Sequence, residues 1–258
     1  MTTVFDSLTA WREERLAQRR AGRALGFVPT MGALHGGHLS LIRRSRIEND
    51  VTLVSIFVNP TQFDDPADLT HYPRTCEADL TTLRGEGVDF VLLPREADLY
   101  PDGYRYRVSE VALSKVLEGA ARPGHFDGVL TVVLKLLQIA GAERAYFGEK
   151  DWQQLNLVRG LADAFFIPTA IVACPTVRDV DGLALSSRNH RLPPAERERA
   201  SQFYRVLASA PTAGEACLEL RMSGFAVDYV ADRDGRRLGA VRLGDVRLID
   251  NVPLPSRP

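Results

Sequence analysis

Two histidines, His35 and His38, frame a glycine pair in the run Pro29-Thr30-Met31-Gly32-Ala33-Leu34-His35-Gly36-Gly37-His38. Glycines allow close backbone approach, and a helix opening here would present N–H groups to an anion. Imidazoles at the same end can donate hydrogen bonds to phosphate oxygens as charge develops. The pair could instead bind zinc or fill a core. Zinc needs at least a third ligand, however, and no local Glu or Cys supplies one. A Walker loop is excluded because the Gly-Lys-Ser/Thr ending is absent. Downstream, Asn59-Pro60-Thr61-Gln62 offers amides that read carboxylates and hydroxyls, although Asn59-Pro60 alone would make an ordinary turn. Gly148-Glu149-Lys150-Asp151 precedes Gln153 and Gln154. A compact ammonium there suits a point contact with phosphate, and Asp151 suits a helix cap. Ser186-Ser187-Arg188-Asn189 is a dense donor cluster fit for polyphosphate or for a plain polar loop. Tyr72-Pro73-Arg74-Thr75 and Arg122-Pro123-Gly124-His125 each join rigid turn residues to a donor that could face an anion, and each taken alone reads as a structural loop.

The elements that must position these groups alternate. Short apolar runs, Ala24 to Pro29, Val51 to Val58, Val88 to Leu93, Ala145 to Phe147 and Thr169 to Ala173, read as strands. Helical stretches His38 to Ile47, Cys76 to Arg84, Gly128 to Ile139 and Trp152 to Phe165 lie between them. This alternation argues a parallel sheet covered on both faces, and right-handed crossovers make it doubly wound. Ligands of such sheets bind beyond the carboxyl ends of the strands, where the segments above fall. The pattern changes after Pro175. Pro193-Pro194 opens a charged helix, Ala195 to Ala208, and a second helix, Ala213 to Met222, follows. Short strands Val227 to Ala231, Ala240 to Leu243 and Val246 to Ile249 are joined by Gly and Asp turns too short for crossovers, so an antiparallel sheet is expected. The division is residues 1–176 and a small α+β domain over 177–258.

Composition bounds the rest. Of 258 residues, 45% are hydrophobic and 25% charged, which excludes a disordered or fibrous chain. Folding would bury roughly 30,000 Å² of the ~41,000 Å² that the unfolded chain exposes, ample for a core without staples. A net charge of −1 gives no global field for nucleic acid or anionic membrane. The basic residues are arginine except Lys115, Lys135 and Lys150. Cys76, Cys174 and Cys217 are odd in number and far apart, supporting neither a disulfide framework nor a cysteine zinc site. The stretch Met1 to Arg23 is polar and has no apolar signal region. The uncharged run Ala164 to Val177 is too short to span a bilayer. A cytoplasmic protein that meets neither membrane nor nucleic acid is expected.

As an ordered series, these segments resemble the pantothenate synthetases, ligases that join pantoate to β-alanine. The resemblance runs in register from about Phe27 to Asn189 and more loosely to Leu248-Ile249-Asp250-Asn251. It implies a Rossmann-like sheet of nucleotidylyltransferase type with a small C-terminal lid, a homodimer, and ATP with Mg²⁺. It also implies two steps. Pantoate attacks the α-phosphate of ATP to give pantoyl adenylate and pyrophosphate, and β-alanine then displaces AMP. By similarity, His35 and His38 stabilise the triphosphate, while Lys150, Ser186, Ser187 and Arg188 hold the β- and γ-phosphates. Met31 meets the nucleotide near the phosphates, Gly148 and Asp151 meet the ribose, and the backbone at Val177 and Leu185 faces adenine. Gln62 and Gln154 bind pantoate against Val132 and Val133. Asn59, Tyr72, Arg122 and His125 line the remaining substrate region, and Asp79 is a Mg²⁺ contact. The sequence departs from the family in a short C-terminal part, with Leu185 and Ala67 where relatives often carry Met and Glu. Two rivals share some features. A dinucleotide-forming nucleotidylyltransferase has no use for the paired glutamines, and a non-catalytic nucleotide-binding module would form no AMP.

Overall fold

The computed structural model describes residues 1–255. In chain order the elements are β1 (Thr3–Phe5), α1 (Leu8–Arg20), β2 (Leu25–Thr30), α2 (Gly36–Glu48), β3 (Val51–Ile56), α3 (Pro66–His71), α4 (Cys76–Gly85), β4 (Phe90–Leu92), α5 (Glu96–Leu99), α6 (Glu118–Ala121), α7 (His125–Ala140), β5 (Arg144–Gly148), α8 (Trp152–Ala164), β6 (Ala170–Cys174), α9 (Pro194–Ser209), α10 (Ala213–Met222), β7 (Ala226–Arg233), β8 (Arg236–Leu243) and β9 (Val246–Pro253). They gather into two compact units. One spans Met1–Glu149 and Gln153–Cys174, and the other takes Lys150–Trp152 with the chain from Pro175 onward.

The first unit is built on a parallel sheet of order β1-β4-β3-β2-β5-β6. Strands β2 and β3 are buried almost throughout, as a sheet covered on both faces requires. Alternate side chains segregate by face. Val28, Val54, Val91 and Tyr146 join Leu41, Ile42, Leu80 and Leu83 of α2 and α4 in one core. On β1 and β4, Phe5 and Phe90 meet Trp11 of α1, with ring centroids 5.5 to 6.1 Å apart. The Trp11 indole N–H donates to Ile139 C=O at 2.9 Å, fastening α1 to the end of α7.

The five expected strands of this sheet are present, and their bounds shift by a few residues at most. β1 and α1 were not anticipated. β1 has three residues and lies at the sheet edge, and α1 buries only Trp11 and Gln18. Neither carries the apolar periodicity that marks an element in sequence.

The second unit folds α9 and α10 against the antiparallel sheet β7-β8-β9. Its core includes Phe203, Leu207, Leu220, Phe225, Val241 and Leu248. Pro194 opens α9, where a missing N–H costs nothing. Asp234 and Gly235, both at positive φ, turn β7 into β8 as a two-residue hairpin requires. Arg237, almost wholly buried, pairs with Asp232 and donates to the carbonyls of Leu207 in the last turn of α9 and of Ala210 and Pro211 just after it. Among the described residues no helix is long and apolar enough to cross a membrane.

One contact between elements admits no extra atom. A Cβ on Gly128 of α7 would fall 2.3 Å from the Thr61 carbonyl oxygen and 2.7 Å from the Gln62 nitrogen. Both are backbone atoms and cannot swing aside. Gly128→Ala should therefore cost about 1–3 kcal/mol, the range for overpacking. At ~2–4 °C per kcal/mol for a chain of this size, the melting temperature should fall by several degrees. Scanning calorimetry checks this, and an unchanged melting temperature would show that the Asn59–Gln62 loop is not pinned there.

Candidate active site

Strand order reverses at β2. Successive strands β3 and β4 lie on one side of it, and β5 and β6 on the other. The crevice at such a reversal, beyond the strand carboxyl ends, is where doubly wound sheets bind ligands. The loops after β2, β3 and β5 carry Met31 to His38, Asn59 to Gln62 and Gly148.

After β2 the chain turns at Gly32 (φ +78°) and Ala33 (φ +49°). A Cβ on Gly32 would stand 2.9 Å from Asp79 Oδ2. Asp79 itself accepts the N–H of Ala33 and of Leu34, both at 2.9 Å, and the Thr75 hydroxyl at 3.1 Å. The Asp79 carboxylate thus clamps the loop. His35 caps α2. Its Nδ1 accepts the Gly37 N–H at 3.1 Å, and His38 Nδ1 accepts the His35 N–H at 3.4 Å. The two rings lie 4.1 Å apart. Because both Nδ1 atoms are acceptors, a neutral imidazole must carry its proton on Nε2. The pair is therefore two Nε2–H donors at the positive end of a 13-residue helix.

The loop after β3 is wired through buried amides. Asn59 Nδ2 donates to Gln62 Oε1 at 3.1 Å and to Gly128 C=O at 3.3 Å. Asn59 Oδ1 accepts the Tyr100 hydroxyl at 2.7 Å. Gln62 Nε2 lies 3.2 Å from the Met31 sulfur, so the first two loops touch. His125 Nδ1–H donates to the Gln62 carbonyl at 2.7 Å, and an Arg122 N–H donates toward His125 Nε2 at 3.4 Å. Arg122 is held in turn by Asp64 at 2.7 Å. Burial first, and the Arg122 charge second, push the His125 pKa down to about 4, so the ring is neutral. Tyr72 is buried edge-on against Phe63. Val132 and Val133 are buried on α7. A Cβ on Gly148 would meet nothing within 4 Å, leaving the backbone approachable.

Lys150 belongs to the second unit, with Asp151 3.9 Å from its ammonium. Its backbone carbonyl accepts Asn251 Nδ2 at 2.9 Å, and Arg236 stacks 4.0 Å over the Trp152 ring. Beside Asn251, the fully buried Asp250 holds Arg178 through a forked pair at 2.6 and 3.0 Å. Desolvation raises the Asp250 pKa, and Arg178 opposes that rise. The Leu185 N–H donates to Val177 C=O at 3.0 Å, bringing those two backbones side by side. The Ser186 hydroxyl accepts the Arg188 N–H at 3.2 Å, opening a short 3₁₀ turn over Ser187–Arg191.

The structure thus joins Met31, Asn59, Gln62, Arg122 and His125 in one network and places His35 beside His38. Gln154 is half-buried on α8 and outside that network, whereas its neighbour Gln153 is built into the fold, bonding the carbonyls of Leu113 and Val116. Sequence reading missed Tyr100, Asp64 and Arg236 and gave no role to Asp250-Asn251. Only the last pair left a local signal, the Leu248-Ile249-Asp250-Asn251 ending. Among the described residues no three His, Cys, Asp or Glu side chains cluster as a metal cage.

The model of the pantoate–β-alanine ligase family matches residues 3–253. The chain belongs to that family. It is 52% identical over 257 residues to the pantothenate synthetase of Bdellovibrio bacteriovorus, covering 98% of this chain and 100% of that one. The Legionella pneumophila pantothenate synthetase is 51% identical, covering 97% and 99%. Among solved structures, the pantoate–β-alanine ligase of Francisella tularensis, complexed with beta-gamma ATP and β-alanine, superposes with a TM-score of 0.93 at 42% identity, over 98% of each chain. Pantothenate synthetase of Thermus thermophilus follows at 0.90 and 40%, over 99% of this chain and 100% of the other.

His125 sets a pH dependence with a definite sign. Its folded pKa of about 4 lies below the ordinary 6.5, so protons favour the unfolded chain. The neutral ring's contribution is complete above pH 6.5 and is lost as pH falls toward 4. The loss amounts to roughly 3 kcal/mol by pH 4. Urea unfolding at stepped pH should show this as a steeper acid decline than in His125→Gln. Equal slopes would mean that the ring takes up a proton while folded.

Proposed function

We propose that this chain condenses pantoate with β-alanine, using ATP, through a pantoyl-adenylate intermediate. The pantoate carboxylate attacks the α-phosphorus and expels pyrophosphate. The β-alanine amine then attacks the acyl carbon and expels AMP. What carries this reading is the His35–His38 arrangement after β2, in a chain of the ligase family. Both rings are held by backbone N–H groups at Nδ1, so both present Nε2–H toward charge that grows on phosphate oxygens. Chemistry of this kind asks for positioning and charge stabilisation, with no protein nucleophile. Lys150, Ser186, Ser187 and Arg188 hold the β- and γ-phosphates in this reading. Met31 sits near the phosphates, Gly148 and Asp151 bind ribose, and Val177 and Leu185 offer backbone to adenine. Gln62 and Gln154 bind pantoate, with Val132 and Val133 against its methyl groups. Asn59, Tyr72, Arg122 and His125 shape the remaining substrate wall.

Mg²⁺ enters with ATP as part of the substrate. The first loop clamp argues against a resident metal, because the Asp79 carboxylate already accepts three hydrogen bonds. We therefore assign Asp79 to positioning the Gly32–Leu34 backbone in place of the metal contact that the resemblance implied. The second unit acts as the lid that keeps water from a hydrolysable acyl phosphate. A homodimer, which the family resemblance implies, belongs to the same proposal. So does a cytoplasmic location.

The decisive measurement is ATP–pyrophosphate exchange, which should require pantoate. Exchange of equal rate without pantoate would favour the dinucleotide-forming alternative, and ATP binding without AMP formation would favour a non-catalytic module. Lys150→Ala should slow adenylate formation by about 10²-fold or more, as loss of a preorganised charge contact does. A near-normal rate would remove Lys150 from the machinery.

A further inference from the structure

A second polar cleft, of about 580 Å³, lies at the other end of the same sheet. Its walls are α1, the C-terminal end of α7, the start of β2 at Leu25 and the Ile167–Thr169 segment that leads into β6. Since the strands are parallel, this is the edge opposite the carboxyl-end loops that carry His35, His38 and Gln62.

Four guanidinium side chains line the cleft, those of Arg12, Arg15, Arg19 and Arg23. Arg12, Arg15 and Arg19 fall at i, i+3 and i+7, on one face of α1, and Arg23 follows in the turn after it. Arg15 is held by the Gln138 and Ile139 carbonyls at 3.0 and 3.3 Å, near the end of α7. Among the described residues no carboxylate forms an ion pair with Arg12, Arg19 or Arg23. Glu143 is the acidic residue of the lining, and its Oε2 accepts the Leu25 N–H at 2.7 Å. Gln18, 5% exposed in the cleft wall, donates its Nε2–H to Glu14. Like charges at helical spacing destabilise α1 by a few tenths of a kcal/mol per pair. An anion removes that repulsion, and forked guanidinium donors match phosphate oxygens two at a time. The volume falls within the range of small-molecule sites.

We propose that this cleft binds a chain of two or three linked phosphates, at a site distinct from the phosphates handled in ligation. Three unpaired guanidiniums around one cleft exceed what a single carboxylate could neutralise. A polyphosphate also spans the one-turn spacing between Arg15 and Arg19. Its source is either free pyrophosphate or polyphosphate, or the phosphate tail of a nucleotide.

Calorimetric titration of the full chain with inorganic tripolyphosphate tests the proposal. Lys150→Ala keeps the cleft intact and should retain one binding event. Arg19→Gln/Arg23→Gln should weaken that event at least tenfold, with an unchanged melting temperature and unchanged pantoate-dependent exchange in the absence of added polyphosphate. Affinity should fall steeply with added salt. ADP competing at the same residues would assign the site to nucleotides, whereas tripolyphosphate binding without ADP competition would assign it to free polyphosphate. Two results overturn the proposal: binding abolished by Lys150→Ala yet indifferent to the arginine changes, or citrate binding as tightly as tripolyphosphate.

Discussion

The arrangement of the first unit depends on one constraint, the reversal of strand order at β2. The chain runs from β2 to β3 to β4 on one side, and the connection through α7 returns it to the other side at β5. Loops that leave neighbouring strands in opposite directions cannot cover the strand ends between them. The loops after β2, β3 and β5 must therefore frame an opening. The sheet can hold its register because β2 and β3 are buried along almost their whole length.

An open edge would leave those loops slack, and buried polar groups take up that task. Asp79 reaches the loop after β2 from α4, 45 residues away in sequence from Leu34. Asn59, 1% exposed, answers Tyr100, Gln62 and Gly128 together. Buried amides and carboxylates are costly when unpaired and rigidifying when fully paired. The loops after β2 and β3 are thus held by side chains from outside them, and a change distant in sequence, such as a methyl group on Gly128, reaches the second through packing.

This explains what could be read from sequence and what could not. The five main strands were legible because burial on both faces leaves runs of β-branched residues. The C-terminal hairpins were legible because the Gly and Asp turns between their strands, Asp234-Gly235 and Gly244-Asp245, are too short for crossovers. The histidine pair was visible because its members and the glycines between them are neighbours in the chain. Asp79 was visible too, but its donors were not, since nothing local distinguishes a metal ligand from a loop clamp. Gln153 and Gln154 show the same limit at one-residue resolution. Only the helix phase decides which amide faces Leu113 and Val116 and which stays outside that contact. The support of the Lys150 carbonyl by Asn251 joins residues 101 positions apart, and no spacing rule spans that distance.

The histidines show how far a backbone can determine chemistry. His35 and His38 receive N–H groups at Nδ1 and so hold their protons on Nε2. His125 faces a carbonyl at Nδ1 and a guanidinium at Nε2, which enforces the opposite tautomer. One side chain type thus accepts main-chain N–H groups at one loop and braces a main-chain carbonyl at another, and the difference lies in which main-chain atom each ring meets.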